Sequence, residues 1–334
     1  MPKCPICGNL RSDESFIETY VSSFNNQEYK LYSCDSCYLE WWEPLKIIPC
    51  YYEQEVEKSY AAFHIGLREK IGKNHEMFFK FIPVKSGRLL DIGCGDGVFL
   101  KEARRAGYEV WGIDFDSKSI KVCKEKWGLE NTFAMSLEEF AKFADKDGLK
   151  FDVITFFEVL EHQDRPREFL ETVKKLLKPG GWIAGSVPNR ERLFVKMDRK
   201  YFTGDKPPHH FLWFSKNSLL RCFANLGYGN LSVKSVDRRL RDYSPFIDFI
   251  VLGSLGPKLK RCLKEKLVAD KHIAEAVDLE SISKLKDSNS FLSESLLVVK
   301  RLRNLIYSPI CMVLYLVSAL KDEGPCLYFQ GYVD

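Results

Sequence analysis

No charge of one sign dominates this chain: 50 lysines and arginines stand against 46 aspartates and glutamates, a net +4 over 334 residues. That balance is too even for an electrostatic grip on nucleic acid, which counts against such a partner. Long apolar runs are also missing. The most hydrophobic stretch, LIYSPICMVLYLVSAL at 305–320, has sixteen residues, two of them serine and one proline, short of the roughly 20 that a membrane-spanning helix needs. It reads as a buried helix, with weak association at a membrane surface as the lesser alternative. The N-terminal stretch lacks the apolar core and cleavage pattern of a secretory leader. Eleven cysteines are an odd number, and several fall inside helical or strand patterns, so a reducing cytoplasm fits better than a disulfide framework. Repeats and low-complexity tracts are lacking too. What remains, at 45% hydrophobic and 29% charged, is a globular chain long enough for one large domain or two.

Two cysteine pairs come first, Cys4-x-x-Cys7 and Cys34-x-x-Cys37, and FIETYVSSFNNQEYKLYSC between them alternates like a hairpin. An aromatic, proline-broken stretch spans Trp41 to Tyr52, and a helical pattern runs from about Glu55 to Phe81. From Arg88 onward strands and helices alternate. RLLDIG reads as a strand and DGVFLKEARRAG as a helix ending at Gly107, then YEVWGID and SKSIKVCKEKWG repeat the pair. NTFAM is a weak third strand, and SLEEFAKFA is a helix opened by a capping box of Ser136 and Glu139. FDVITFF is the fourth strand, REFLETVKKLL a helix, and WIAGSVPN the fifth strand. Such alternation predicts an α/β fold, a parallel sheet with helices on both faces.

Twenty-six residues separate Cys7 from Cys34, the spacing of a zinc ribbon. A CxxC turn presents two thiolates to one ion, and the proline and glycine of CPICG shape such a knuckle. Cys4, Cys7, Cys34 and Cys37 are therefore expected to hold structural Zn2+, with iron as the chemical alternative. Four protein ligands leave no open position for catalysis. Cys50, a fifth thiol nearby, receives no assignment.

The stretch LLDIGCGDGVFL carries Asp91, Gly93, Gly95 and Gly97. A phosphate-binding fingerprint would read G-x-G-x-x-G, so the third glycine sits one place early. Asp91 ends the strand in front of that turn. A carboxylate there repels a pyrophosphate and welcomes an ammonium, while the glycines let the backbone approach closely. Asp114 ends the second strand, 21 residues after Gly93, where a doubly wound fold places the acid that accepts ribose hydroxyls. A nucleoside joined to a cationic amino acid, without a phosphate, describes S-adenosylmethionine.

Asp91 to Gly97, Asp114, FDVITFFEVLEH and LLKPGGWIAGSVPN together resemble the class I S-adenosylmethionine-dependent methyltransferases in order and spacing, over roughly residues 75–235. The likeness is closest to the broad branch of ubiquinone-biosynthesis O-methyltransferases and of sugar and natural-product methyltransferases. It implies a Rossmann-like seven-stranded sheet of order 3-2-1-4-5-7-6 with strand 7 antiparallel, NLSVKSVDR and CLYFQGYV supplying strands 6 and 7. These two strands are normally joined directly, so residues 240–321 become a helical insertion whose role stays open. The domains expected are a ribbon over 1–50, a methyltransferase domain over 51–239 plus 322–334, and that insertion. The resemblance also puts Gly93, Cys94, Gly95 and Gly97, Asp114 with Phe115, Ser136 after strand 3, and Phe157 with Glu158 after strand 4 around the cofactor.

EVLEH places Glu158, Glu161 and His162 at i, i+3 and i+4 after the fourth strand, one face of a first helical turn. GDKPPHHFLWFS adds His209 and His210 downstream. Glu158, Glu161, His162 and His209 form a possible site for Mg2+, Mn2+ or Zn2+, an arrangement similar to that of small-RNA 2′-O-methyltransferases and of metal-dependent quinone-precursor O-methyltransferases. The alternative is a histidine base, drawn from His162, His209 and His210, with no ion. His64, His75 and His272 are expected to be structural. Residues 192–214, rich in aromatic and basic side chains, are the candidate lid and acceptor pocket. The expected reaction is methyl transfer from S-adenosylmethionine to a hydroxyl of a sugar, glycan or other small metabolite. RNA 2′-O-methylation, sugar C-methylation and a non-catalytic ribbon module that binds proteins are the alternatives, and the acceptor and the oligomeric state are left open.

Overall fold

The alternation of strands and helices does build a parallel sheet. The computed structural model describes residues 3–10, 15–48, 68–193, 195, 199, 203–237 and 309–333. They fall in two units, Met1–Val236 with Asp322–Asp334, and Asp237–Lys321. Cys50, His64 and His272, and the part of the predicted 55–81 helix before residue 68, lie outside the described residues; residues 68–72 are not helical, so the described part of that helix starts only at Lys73.

The first unit opens with β1 (Phe16–Val21), β2 (Glu28–Ser33) and β3 (Glu40–Glu43), an antiparallel meander in which Phe16 faces Tyr32 and Leu31 faces Trp42. Its two cysteine turns repeat one geometry. The N–H of Gly8 returns to Cys4 O at 3.0 Å and that of Tyr38 to Cys34 O at 2.8 Å. The residue after each second cysteine is left-handed, Gly8 at φ 78° and Tyr38 at φ 58°. Glycine adopts that freely, whereas an aromatic residue is held there only by the surrounding structure.

The large sheet takes β4 (Gly87–Ile92), β5 (Tyr108–Asp114), β6 (Thr132–Ala134), β7 (Phe151–Phe157) and β8 (Leu177–Pro188), all parallel. After β8 the chain adds a two-residue strand, β9 (Leu212–Trp213), to the cysteine-bearing meander, in the order β1-β2-β3-β9. β10 (Gly229–Val236) and β11 (Cys326–Tyr332) then complete the large sheet as β10-β11-β8-β7-β4-β5-β6, with β11 antiparallel to both of its neighbours. In family numbering this is 6-7-5-4-1-2-3, the expected order. The central strands are buried on both faces, so β7 is almost continuously apolar: Phe151, Val153, Ile154 and Phe156 have no exposed surface.

Between the strands run α1 (Lys73–Phe81), α2 (Val98–Arg105), α3 (Ser117–Trp127), α4 (Leu137–Lys146), α5 (Pro166–Leu176) and α6 (Lys216–Asn225). Local chemistry sets their ends. Asp116 caps α3 by accepting from the N–H groups of Lys118 and Ser119, Ser136 and Glu139 close the expected capping box on α4, and Pro166 opens α5. The Pro179-Gly180-Gly181 segment lies inside β8, as an irregularity between the pairs Phe151↔Leu177 and Val153↔Trp182.

In the second unit the described residues form one helix, 309–321. The expectation of a buried helix fails. Ile310, Met312, Val313, Leu316 and Leu320 are exposed, and only Cys311 and Ser318 are buried. Those two are seven residues apart, a single narrow stripe, so the remaining apolar side chains point away from what it packs on. Among the described residues no helix is long and apolar enough to cross a membrane.

Candidate active site

The carboxyl edge of the sheet gathers the predicted cofactor residues. Asp91, near the end of β4, is 3% exposed, and its Oδ1 accepts a 2.7 Å hydrogen bond from Thr155 Oγ1 on β7. Burial raises its carboxyl to about 8. Asp114 closes β5, with one oxygen accepting from the Gly95 N–H and the other from the Asp116 N–H, each at 2.9 Å. Burial lifts it to about 6. The Gly95 bond thus ties the glycine turn to the second strand. Gly93 has φ 73°, and a Cβ there would stand 2.5 Å from Val159 Cγ2. Gly97, at φ 75°, caps α2, where a Cβ would meet Cys123 Sγ and Leu129 Cδ1 at 2.8 Å. No side chain fits at either position without displacing its neighbours, so bare backbone lines the turn. The Cys94 thiol is packed in the core beside Cys123.

The other predicted residues are more dispersed in role. Phe115 follows Asp114 and is 66% exposed. Ser136 stands just after β6, where Met135 N–H bonds Asp114 O at 3.0 Å, but its hydroxyl is engaged by the Glu139 N–H at 3.2 Å. Phe157 packs its ring against His75 and Phe99, with centroids at 4.5 and 4.9 Å. His75 accepts from the Gly72 N–H, and burial drops it to about 3.

Glu158, Glu161 and His162 do not share one helical face. Glu158 is left-handed, φ 55°, and its Oε1 accepts from Ser186 Oγ at 2.6 Å, a hydroxyl that Asn74 also engages at 3.1 Å. A short 3-10 turn, Leu160–His162, follows. On it Glu161 is fully buried, and neither carboxylate oxygen has a hydrogen-bond partner among the described residues. Burial, then the neighbouring Glu158, push its carboxyl well above the usual range. Oε1 lies 3.8 Å from His162 Nε2.

His162, His209 and His210 converge, each with a ring nitrogen within 4.8 Å of the others. His162 Nδ1 is 2.6 Å from His209 O and His209 Nδ1 is 2.7 Å from Gly204 O. A carbonyl only accepts, so each Nδ1 carries the proton and Nε2 holds the lone pair. His210 Nδ1 faces Asp205 Oδ1 at 3.4 Å. Burial, then the neighbouring rings, lower His162 far below the ordinary histidine value and His209 to about 3. Burial works against Asp205, yet the His210 hydrogen bond and the Arg192 charge hold its carboxyl well below the carboxylate range. Arg192 Nη2 is 3.0 Å from Asp205 Oδ2. In each ring Nδ1 faces an oxygen, the kind of partner that orients metal-binding imidazoles, and the three rings stand close enough to offer one nitrogen each to a shared ion. The third histidine was not among the ligands expected from the sequence, and neither was Asp205. The adjacent pair in PPHH was the available signal for the former.

At the other end of the meander, Cys4 and Cys37 bring their sulfurs to 3.5 Å, as do Cys7 and Cys34, and all four lie within 4.8 Å of one another. Tetrahedral bonds of about 2.3 Å require S···S separations of about 3.8 Å. The hydrogen bond from Cys37, together with burial, pushes the Cys4 thiol far up, a penalty that a cation at the centre would reverse.

A family model described as "Methyltransferase domain" matches residues 63–233, just over half of the chain, leaving the four cysteines outside. A ubiquinone biosynthesis O-methyltransferase of Paraburkholderia phymatum is 35% identical over 144 residues, which cover 41% of this chain and 62% of that enzyme, less than two thirds of its length. The enzyme of the same name from Caulobacter sp. (strain K31) is 33% identical over 199 residues, covering 55% of this chain and 74% of that one. Among solved structures, a SAM dependent methyltransferase from Archaeoglobus fulgidus aligns with a TM-score of 0.43 at 18% identity, covering 77% of this chain and 92% of that one.

Proposed function

Because the chain belongs to the methyltransferase domain family, in its class I S-adenosylmethionine-dependent branch, we propose that it methylates a hydroxyl of a small acceptor, a sugar, glycan or other metabolite. Glu161, His162, His209 and His210 hold a divalent cation beside that hydroxyl in this reading. The carrying observation is Glu161, a carboxylate buried without a hydrogen-bond partner among the described residues, its Oε1 3.8 Å from Nε2 of His162, one of three converging imidazoles. Burying such a group without a partner costs about 1–3 kcal/mol, and a cation is the partner its surroundings fit. The names of the relatives, O-methyltransferases, favour oxygen as the acceptor atom. Three imidazoles favour Zn2+ or Mn2+ over Mg2+, and the four-cysteine cluster is assigned to structural Zn2+.

The cofactor supplies a methyl group already activated on a sulfonium, so the protein's task is binding, alignment and exclusion of water. Asp91 takes the ammonium of the methionyl part, Asp114 takes the ribose hydroxyls on the lone pairs its backbone donors leave, and the exposed Phe115 ring offers a face to the adenine. Phe157 walls the site. A bound divalent ion lowers a hydroxyl's pKa and orients it. His162 and His209, kept unprotonated by burial, are ready ligands at neutral pH but poor proton acceptors, which favours the cation over a free histidine base.

The test is transfer of labelled methyl from S-adenosylmethionine to pools of sugars, glycans and catechols, before and after chelation. Label on oxygen that disappears with chelator and returns with Mn2+ or Zn2+ is expected. Transfer indifferent to chelator removes the cation from the reaction, and label on carbon or nitrogen removes the hydroxyl.

A further inference from the structure

The segment that carries His209 and His210 leaves the site as part of the cysteine-bearing sheet. Phe211 N–H donates to Glu161 O and Trp42 N–H donates to Phe211 O, both at 2.9 Å, so a single residue joins the Glu161 turn to β3. Leu212 and Trp213 then pair with Trp41 and Glu40. Trp213 stands edge-on to Trp42 at 5.3 Å. Its indole N–H reaches back to Asp205 O at 2.6 Å, and Asp205 is the residue whose carboxylate receives His210. From another direction Arg190 donates to the carbonyl of Tyr38 at 2.7 Å and meets Glu40 at 3.3 Å. Tyr38 directly follows Cys37, and β3 begins two residues later.

We propose that the four-cysteine ribbon is a positioning element of the acceptor side, with Trp213 passing the placement of β3 to Asp205 and the three histidines. The proposal rests on those histidines facing the acceptor. Metal in the cysteine cluster fixes the Cys34–Cys37 turn, that turn fixes β3, and β3 fixes the strand into which the histidine segment runs. The cofactor side has separate supports: Asp91 and Asp114 are held by Thr155, Gly95 and Asp116, all on the large sheet and its turns. Loss of the ribbon's ion therefore spares cofactor binding and removes turnover.

Trp213→Phe keeps an aromatic ring and all four cysteines while deleting the N–H that Asp205 receives, and Cys34→Ser attacks the same path at its origin. The full-length wild type and both variants are compared by S-adenosylhomocysteine calorimetry, histidine side-chain 15N spectra, Mn2+ titration and methyl transfer. Mn2+ serves as the probe because thiolates hold it poorly. Expected are unchanged S-adenosylhomocysteine affinity, the same displaced His209 and His210 resonances in both variants, weaker Mn2+ binding, and turnover down by about 10²-fold, the usual loss for a displacement of about 1 Å. Histidine spectra identical to wild type in both variants overturn the proposal. So does loss of S-adenosylhomocysteine binding in step with the histidine changes, which signals general unfolding. A wild type that binds no Mn2+ sinks the cation reading alone, because the histidine spectra still decide the role of the ribbon.

Discussion

Glu161 makes the ligand-free protein less stable than it could be, and replacing it should show this. Its carboxylate is fully buried with no hydrogen-bond partner among the described residues, and an unsatisfied buried polar group costs about 1–3 kcal/mol. Glu161→Leu has similar volume and no polar atoms, and the backbone carbonyl that receives Phe211 N–H is retained. The variant should therefore gain about 1–3 kcal/mol without ligand, a rise in Tm of about 2–4 °C per kcal/mol for a domain of this size. The sign with pH follows from the raised carboxyl. A group whose folded pKa lies above its unfolded value stabilises the fold below the unfolded value, near 4.3 for glutamate, and loses that contribution as pH rises. The advantage of Glu161→Leu should thus be widest at alkaline pH and shrink on acidification. With Mn2+ the gap should close or invert: an ion at about 100 times its Kd adds about 2.7 kcal/mol to the wild type and little to the variant. Differential scanning calorimetry with and without Mn2+ over pH 5 to 9 reads all of this. If ligand-free Glu161→Leu is less stable than wild type, the carboxylate has a structural partner and the reasoning fails.

Other outcomes follow from the cofactor side. With Asp91 held near 8 by burial and a free α-amino group also near 8, S-adenosylmethionine affinity should rise about tenfold per pH unit toward 8 and fall above it. A flat profile in calorimetry would mean that Asp91 does not meet the ammonium. Gly93→Ala combines a φ of 73° with a Cβ 2.5 Å from Val159, so backbone strain of about 1–3 kcal/mol and a comparable clash should lower Tm. Adding Val159→Ala should restore only the second part, and full restoration would refute the strain. Cys7→Ser should leave the purified protein with about one equivalent less zinc by atomic absorption, and retention of the ion would point to another ligand.

What was legible in the sequence is what local chemistry decides. The glycine turn, the two strand-ending acids, the capping box at Ser136 and the cysteine knuckles each follow from a few adjacent residues, and the alternation around them set the sheet. What was not legible depends on distant pairing. β9 is two residues long and joins strands some 170 positions earlier, so no periodicity announces it. Glu158 fits a helical spacing with Glu161 and His162, yet a left-handed backbone at the strand end turns it to Ser186. His210 enters the cluster only because the chain folds back from Asp205. In helix 309–321 the apolar content was clear, but hydrophobicity without a broad stripe does not say which side is covered.

The order of strands in the large sheet also has a consequence in time. β11 sits between β8 and β10, yet Cys326 follows its partner Val236 by 90 residues. At about 5–20 residues per second of synthesis, β10 waits roughly 5–18 s on the ribosome and β8, whose Pro188 precedes its partner Cys326 by 138 residues, roughly 7–28 s, each with a row of backbone donors and acceptors open on the side that β11 will occupy. Open strand edges invite pairing with other chains. During that interval the growing protein is most vulnerable to aggregation, and slower translation of residues 237–325 would prolong the exposure.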